Sequence, residues 1–141
     1  MKRVKIALDT NILIYFLEGI EPYAGKVEDL LNSFMKGEKR GVISTITLAE
    51  VLTGFYVAGD EERAAKVKSL FRDLSIDGLE IVPVTFEVAD LAARLRAEKG
   101  GKLPDSLIVA TALNQAASVI ISQDEDLQRF RENIKILSMP P

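Results

Sequence analysis

Apolar and polar positions along the chain fall into blocks that match the periods of strands and helices. Residues 4–8 are largely apolar and β-prone, and Asp9 and Asn11 separate them from a second apolar run at residues 12–17. This pattern predicts a strand, a turn and a helix. Four more strands are predicted at residues 41–45, 79–84, 119–121 and 134–137.

Helices are predicted between these strands, because apolar residues recur there at the spacing of one helical face. They begin near residues 22, 47, 61, 85, 106 and 123. Strands that alternate with helices predict a three-layer α/β/α sandwich with a mainly parallel central sheet. The length of 141 residues fits one domain that covers residues 1–141.

Composition narrows the chemistry that the chain can perform. It contains no cysteine and no histidine, which excludes a thiolate nucleophile and a Ser-His-Asp triad. Catalysis would have to use carboxylates, hydroxyls, lysine or arginine, and carboxylates bind hard divalent cations. The net charge of −3 provides no global basic field for nucleic acid. No apolar stretch approaches the ~20 residues of a membrane helix, so a cytoplasmic protein is expected.

Four acidic residues lie at strand ends or helix starts. Asp9 follows the first strand, Asp124 follows the strand at residues 119–121, Glu50 is expected in the first turn of a helix, and Asp105 starts another. In parallel α/β sheets the ligand crevice lies at the carboxyl ends of the strands. We therefore expect these carboxylates to converge, and their repulsion to be relieved by Mg²⁺ or Mn²⁺.

Each acid also has an ordinary structural explanation. Glu50 matches a capping box that begins at Thr47, and residues 122–125 match another. Asp105 at a helix start is favoured by the helix dipole, and Asp9 suits a turn. Asp126 competes with Asp124 for the fourth position, because both lie early in the same short helix. Only the joint pattern favours a metal site.

Four ordered segments resemble the motifs of PIN domains, particularly those of VapC-type toxins. They are residues 8–14 (LDTNILI), 43–51 (ISTITLAEV), 104–110 (PDSLIVA) and 120–124 (IISQD). The resemblance implies a metal-dependent endoribonuclease that hydrolyses RNA phosphodiester bonds. In that reading the metal and its water are held by Asp9, Glu50, Asp105 and Asp124, with hydrogen-bond support from Thr10, Asn11 and Ser122, and with Asp126 as the alternative fourth acid.

The same resemblance implies a homodimer and a cognate antitoxin whose tail covers the catalytic groove. Two groups of side chains could serve partners, although each also fits an ordinary role in the core or on a solvated helix face. The aromatic group is Tyr15, Phe16, Tyr23 and Phe55, and the basic group is Arg94, Arg96, Lys99 and Lys102.

Two other functions remain open from the sequence. One is a different metal-dependent phosphoryl-transfer enzyme, since the same carboxylates would serve it. Asn11 stands where the aspartyl phosphatases need a second Asp, two residues after the first. The other is a catalytically silent binding module that uses the acidic crevice for a basic protein tail.

Overall fold

The computed structural model describes residues 4–74 and 78–139. Five strands form one sheet in the order β3-β2-β1-β4-β5, and every neighbouring pair is parallel. The predicted fold class is therefore confirmed, with a sheet that is parallel throughout rather than mainly. The strands are β1 (Lys5–Leu8), β2 (Arg40–Ser44), β3 (Leu79–Val82), β4 (Val119–Ile121) and β5 (Lys135–Leu137).

Six α-helices and one 3₁₀ helix connect or follow the strands. They are α1 (Thr10–Leu17), α2 (Tyr23–Met35), α3 (Thr45–Val57), α4 (Glu61–Leu74), α5 (Phe86–Lys99), α6 (Leu103–Asn114) and the 3₁₀ helix (Glu125–Phe130). Three of them begin earlier than predicted. Asp9 caps α1, which begins at Thr10 rather than at residue 12. The Ser44 side chain accepts from the Ile46 N–H at 3.1 Å and so caps α3 before Thr45. Helix α6 includes Pro104 in its first turn, where its missing N–H costs nothing.

The sheet is covered on both faces, which gives the three layers. One buried cluster contains Ile6 and Leu8 of β1 with Phe34 of α2. The other contains Ala7 of β1 with Phe130 of the 3₁₀ helix. Successive β1 side chains thus enter opposite cores, as the period of a strand requires. Among the described residues, no helix is long and apolar enough to cross a membrane.

The strand order reverses between β1 and β4, and this switch point places the candidate site. The chain moves from β1 outward to β2 and β3, then returns to the other side of β1 as β4. Leu8 pairs with Ile121, and the Asp9 N–H donates to the Ile121 carbonyl at 3.0 Å. Ligand crevices in such sheets open beyond the carboxyl ends of the strands at the switch point.

Candidate active site

Asp9 lies at the centre of the crevice, directly after β1. Its side chain is only 4% exposed, and it caps α1 by accepting from the Thr10 N–H at 2.8 Å. The second carboxylate oxygen accepts from the Ser122 hydroxyl at 2.6 Å. Ser122 in turn accepts from the Asp124 N–H at 3.0 Å. The ends of β1 and β4 are therefore joined through one serine.

Glu50 meets the crevice from α3, but not from the position that the sequence predicted. It lies in the second turn, because α3 begins at Thr45. The capping-box interpretation of Glu50 was wrong, since Ser44 caps this helix and Thr47 is already inside it. The Glu50 carboxylate instead accepts from the Thr10 hydroxyl at 2.7 Å. Its hydrogen bond thus reaches across to α1.

Thr47 takes part in this contact, and sequence reasoning missed it as a site residue. Its hydroxyl oxygen is 3.2 Å from that of Thr10, and the residue is fully buried. A hydroxyl has one proton, so we assign that of Thr10 to the Glu50 carboxylate and let Thr47 donate to Thr10. The available signal was the spacing of three residues between Thr47 and Glu50, which puts both on one helix face.

Asp105 lies in the first turn of α6, as predicted, and is half-buried. Burial raises the pKa of its carboxyl to about 6, and the negative charges of Asp9, Asp124 and Glu50 add to the rise. Lys102 opposes this shift. The electrostatic coupling indicates that all four predicted acids lie near one another, although they come from four separate segments.

Asp124 and Asp126 have different surroundings. The Asp124 side chain caps the 3₁₀ helix by accepting from the Asp126 N–H at 2.9 Å. A capping box headed by Ser122 was therefore a wrong interpretation, because Asp124 is the cap. Asp126 is exposed, and its charge is not among those that raise the pKa of Asp9 or Asp105, whereas the charge of Asp124 raises both.

Burial also raises the pKa of the Asp9 carboxyl, and the charges of Asp124 and Glu50 contribute. The hydrogen bonds from Ser122 and Thr10 act in the opposite direction. Within residues 4–74 and 78–139, no lysine or arginine forms an ion pair with any of the four acids. The negative charge of the crevice is therefore left without a protein cation at contact distance.

The donor set suits a hard divalent cation, but the ligand cage is not preformed. In the described part of the chain, no three acidic side chains stand close enough to coordinate one ion directly. Mg²⁺ commonly binds through one or two carboxylates and keeps several waters. Four carboxylates that do not form a preformed cage, beside the buried hydroxyls of Thr10, Thr47 and Ser122, fit that mode of binding.

Asn11 and Gln123 connect the crevice to the end of the chain. The Asn11 side-chain oxygen accepts from the Gln123 N–H at 3.3 Å. The Gln123 amide pairs with the backbone of Met139, donating to its carbonyl at 3.3 Å and accepting from its N–H. Sequence reasoning gave Gln123 no role, because its partners lie up to 112 residues away.

The comparison with known proteins agrees with the observed fold. The family model described as PIN domain matches residues 6–133. Among curated proteins no significant match was found.

Several solved structures share the fold. A toxin-antitoxin complex from Klebsiella pneumoniae is 25% identical, with a TM-score of 0.66 and coverage of 94% of this chain and 95% of that one. VapBC2 from Rickettsia felis, bound to a promoter DNA fragment, is 21% identical, with a TM-score of 0.71 and coverage of 97% and 100%. VapC20 from Mycobacterium tuberculosis, a toxin that cleaves the sarcin-ricin loop, is 16% identical, with a TM-score of 0.68 and coverage of 87% and 92%. The chain therefore belongs to the PIN domain family, whose members include nucleases that use divalent metal ions.

Proposed function

We propose that the protein is a cytoplasmic endoribonuclease that depends on Mg²⁺ or Mn²⁺ and acts as the toxin of a toxin-antitoxin pair. The observation that carries the proposal is geometric: at the switch point Ser122 links Asp9 to the backbone of Asp124, and Thr10 bonds to Glu50 beside them. The negative charges of these acids also raise the pKa of Asp105, which supports its place in the same crevice. Such repulsion is unfavourable unless a cation offsets it. RNA rather than DNA is favoured by the similarity to a toxin that cleaves the sarcin-ricin loop.

Each residue of the site has its own role in the proposed mechanism. A divalent ion held by these carboxylates would supply Lewis acidity, to activate a water and to offset charge on the scissile phosphate. Asp9 offers a carboxylate fixed by Ser122 and the Thr10 N–H. Glu50 is oriented by the Thr10 hydroxyl. Asp105 and Asp124 would supply the remaining carboxylates, and Asp124 is preferred to Asp126 because its charge, unlike that of Asp126, raises the pKa of both Asp9 and Asp105.

Incubation of the purified protein with RNA, duplex DNA and a phosphomonoester tests the reaction. We expect RNA cleavage with Mn²⁺ or Mg²⁺ and none with EDTA. Turnover of the phosphomonoester alone would favour the phosphatase alternative and contradict the proposal. No turnover of any substrate under conditions that bind metal would favour the silent binding module.

Two matched variants test which acids belong to the site. Asp105→Asn should lower the cleavage rate by at least about a hundredfold, because the loss of one well-placed electrostatic group costs about 2.7–4 kcal/mol in other enzymes. No described hydrogen bond of the Asp105 side chain is broken by this change. Asp126→Asn removes the same charge from an exposed neighbour and should leave the rate within about twofold. Equal losses in both variants would contradict the assignment.

The toxin role is supported by the 25% identical toxin-antitoxin complex. A groove of about 260 Å³ is lined by apolar side chains, by Arg63 and by the acidic residues Glu18, Glu50 and Asp60, and we propose that the antitoxin tail binds there. Of the aromatic group, Phe55 lines this groove, whereas Tyr15 and Tyr23 stack on each other at 4.8 Å.

Induced expression in a bacterial host tests this role. Growth should stop with the native chain and continue with Asp105→Asn at equal protein level. The homodimer is also proposed from the resemblance, and light scattering of the purified protein measures it. A monomeric mass at micromolar concentration would contradict the dimer without affecting the nuclease proposal.

A further inference from the structure

A glycine pair between α5 and α6 lets an arginine lie against the loop that leads to Asp105. Gly100 and Gly101 have φ angles of +76° and +89°. A Cβ on Gly101 would stand 2.9 Å from Cδ and Nε of Arg129. Arg129 donates from Nε to the Asp126 carbonyl at 3.0 Å and from Nη1 to the Lys99 carbonyl at 3.2 Å. The guanidinium is therefore fixed over this loop.

A hydrogen bond to a backbone carbonyl also holds Arg96 on this loop. Its Nε donates to the Gly101 carbonyl at 3.1 Å. Within the described residues neither Arg96 nor Arg129 forms an ion pair with a carboxylate. Two neighbours differ, because Arg94 pairs with Asp90 at 3.2 Å and Lys99 pairs with Glu132 at 3.5 Å. Within the described part of this basic region, Arg94 and Lys99 are therefore paired with carboxylates, whereas Arg96 and Arg129 are not.

An open pocket of about 370 Å³ lies at this loop. Most of its lining residues are small, and they leave the Arg96 side chain and the backbone of the glycine pair accessible. The lining residues are Ala93, Arg96, Ala97, Gly100, Gly101 and Leu103. Leu103 is 49% exposed and offers an apolar surface. Pockets of about 300–1,000 Å³ accommodate small-molecule ligands, so one nucleotide unit fits.

The pocket adjoins the acidic crevice through two connections. Leu103 begins α6 and precedes Asp105 by two residues. On the other side, Arg129 is bonded to the Asp126 carbonyl, and the Asp126 N–H is bonded to the Asp124 carboxylate. The pocket is therefore connected to both of the segments that carry Asp105 and Asp124.

We propose that this pocket is a subsite for a nucleotide that flanks the scissile phosphate of single-stranded RNA. Arg96 and Arg129 bind its phosphate, the small side chains leave room for the ribose and base, and Leu103 packs against the base. The inference rests on the proposed ribonuclease function. It explains how a chain with a net charge of −3 can bind a polyanion beside four carboxylates, since phosphate contacts with arginine dominate such binding.

RNA binding tests the subsite without relying on cleavage. The probe is a fluorescein-labelled RNA of 12 nucleotides of mixed sequence, bound to the Asp105→Asn protein in Mn²⁺ and followed by anisotropy. Adding Arg96→Gln should weaken binding about tenfold at low salt. It should also reduce the slope of log K against log[salt] by about 0.7 for one lost phosphate contact. Arg94→Gln, the control on the same helix, should change the affinity by less than twofold.

A second variant tests the pocket by shape rather than charge. Ala97 is exposed on α5, so Ala97→Leu adds bulk to the pocket with a good helix former. It should weaken RNA binding while leaving the salt slope unchanged. Unchanged binding in both Arg96→Gln and Ala97→Leu would overturn the inference, as would equal effects of Arg94→Gln and Arg96→Gln.

Two further results separate the possible failures. A peptide of ten glutamates that competes as well as the RNA, with the same dependence on Arg96, would indicate a general anion site and overturn the nucleotide assignment. Cleavage assays on the otherwise native chain complete the design. If RNA is cleaved but Arg96→Gln and Ala97→Leu leave KM unchanged, the subsite is wrong and the ribonuclease function stands. If the native chain cleaves no RNA, the proposed function fails and the subsite with it.

Discussion

Hydroxyl groups, rather than cations, orient two of the four carboxylates in the crevice. Ser122 and Thr10 donate to Asp9 and Glu50 respectively. A hydroxyl can fix a carboxylate without neutralising it, so these acids remain available to a metal ion. Among the described residues, no hydroxyl donates to Asp105. Its ionisation is disfavoured by burial first and then by the negative charges of its acidic neighbours.

The Thr10 hydroxyl can be tested with a near-isosteric variant. Thr10→Val removes the donor to Glu50 and should lower the rate of RNA cleavage by about tenfold, because an undirected carboxylate binds the ion less well. The fold should persist, since the shape is kept. Thr53→Val is the control, because Thr53 is an exposed threonine of α3 that bonds only to the Ala49 carbonyl. Equal rates for the two variants would exclude a positioning role for Thr10.

Asp105 also predicts a pH dependence of stability in the metal-free protein. Its folded pKa is about 6 and the ordinary pKa of an aspartate is 3.8, so the folded state binds more protons between these values. Stability contributed by this group is therefore lost as the pH rises from about 4 to 6. Asp105→Asn removes the effect, and in EDTA it should raise the free energy of unfolding at pH 7.5 by on the order of 1 kcal/mol, after allowance for solvent screening.

Urea unfolding of both proteins at pH 4.5 and pH 7.5 measures this difference. The gain from Asp105→Asn should be roughly a third as large at the lower pH, because the native carboxyl is protonated there while the unfolded carboxyl is already mostly ionised. A gain that is equal at both values would show that the pKa of Asp105 is not raised.

At the scale of elements, the sequence predicted every described strand and helix in order but misplaced the starts of three helices, α1, α3 and α6. The first strand was readable from polarity alone, but the turn predicted after it was wrong, because Asp9 caps α1 and the helix begins at Thr10. The start of α3 was not readable either, because Ser44 and Thr47 are both acceptable caps, and only the end of β2 at Ser44 decides between them. The same ambiguity put Glu50 one turn too early in the helix.

The α5–α6 loop predicts an asymmetry between two glycine substitutions. Gly101→Ala introduces a Cβ at a φ of +89° and against Arg129, so it should destabilise the protein by about 1–3 kcal/mol. Gly54→Ala lies inside α3 with nothing within 4 Å, and should stabilise by about 0.5–1 kcal/mol. Thermal unfolding of both variants measures the difference. Equal shifts would contradict the close packing of Arg129 on this loop.

At the scale of the whole molecule, the site depends on the order of the strands. Asp9 and Asp124 are 115 positions apart, and they become neighbours only because β4 returns beside β1. The positions of strand ends and helix starts in the sequence predicted that these acids lie at the carboxyl edge of the sheet. The hydrogen bonds that join them were not predictable, because Thr47 and Gln123 meet partners set by the crossing of separate segments.

Because the carboxylates of the crevice repel one another, we predict that the stability of the whole protein depends on divalent metal. An ion that binds the folded state alone stabilises it by about 2.7 kcal/mol at one hundred times its Kd, which corresponds to a rise of about 10 °C in Tm for a chain of this size. We expect this rise for the native protein in Mn²⁺ and for Asp126→Asn, and a much smaller one for Asp105→Asn. NaCl at matched ionic strength should not reproduce it, since screening acts weakly on buried charges. If NaCl raises Tm as much as Mn²⁺ does, or if Asp105→Asn responds like the native chain, the four carboxylates do not form a metal site.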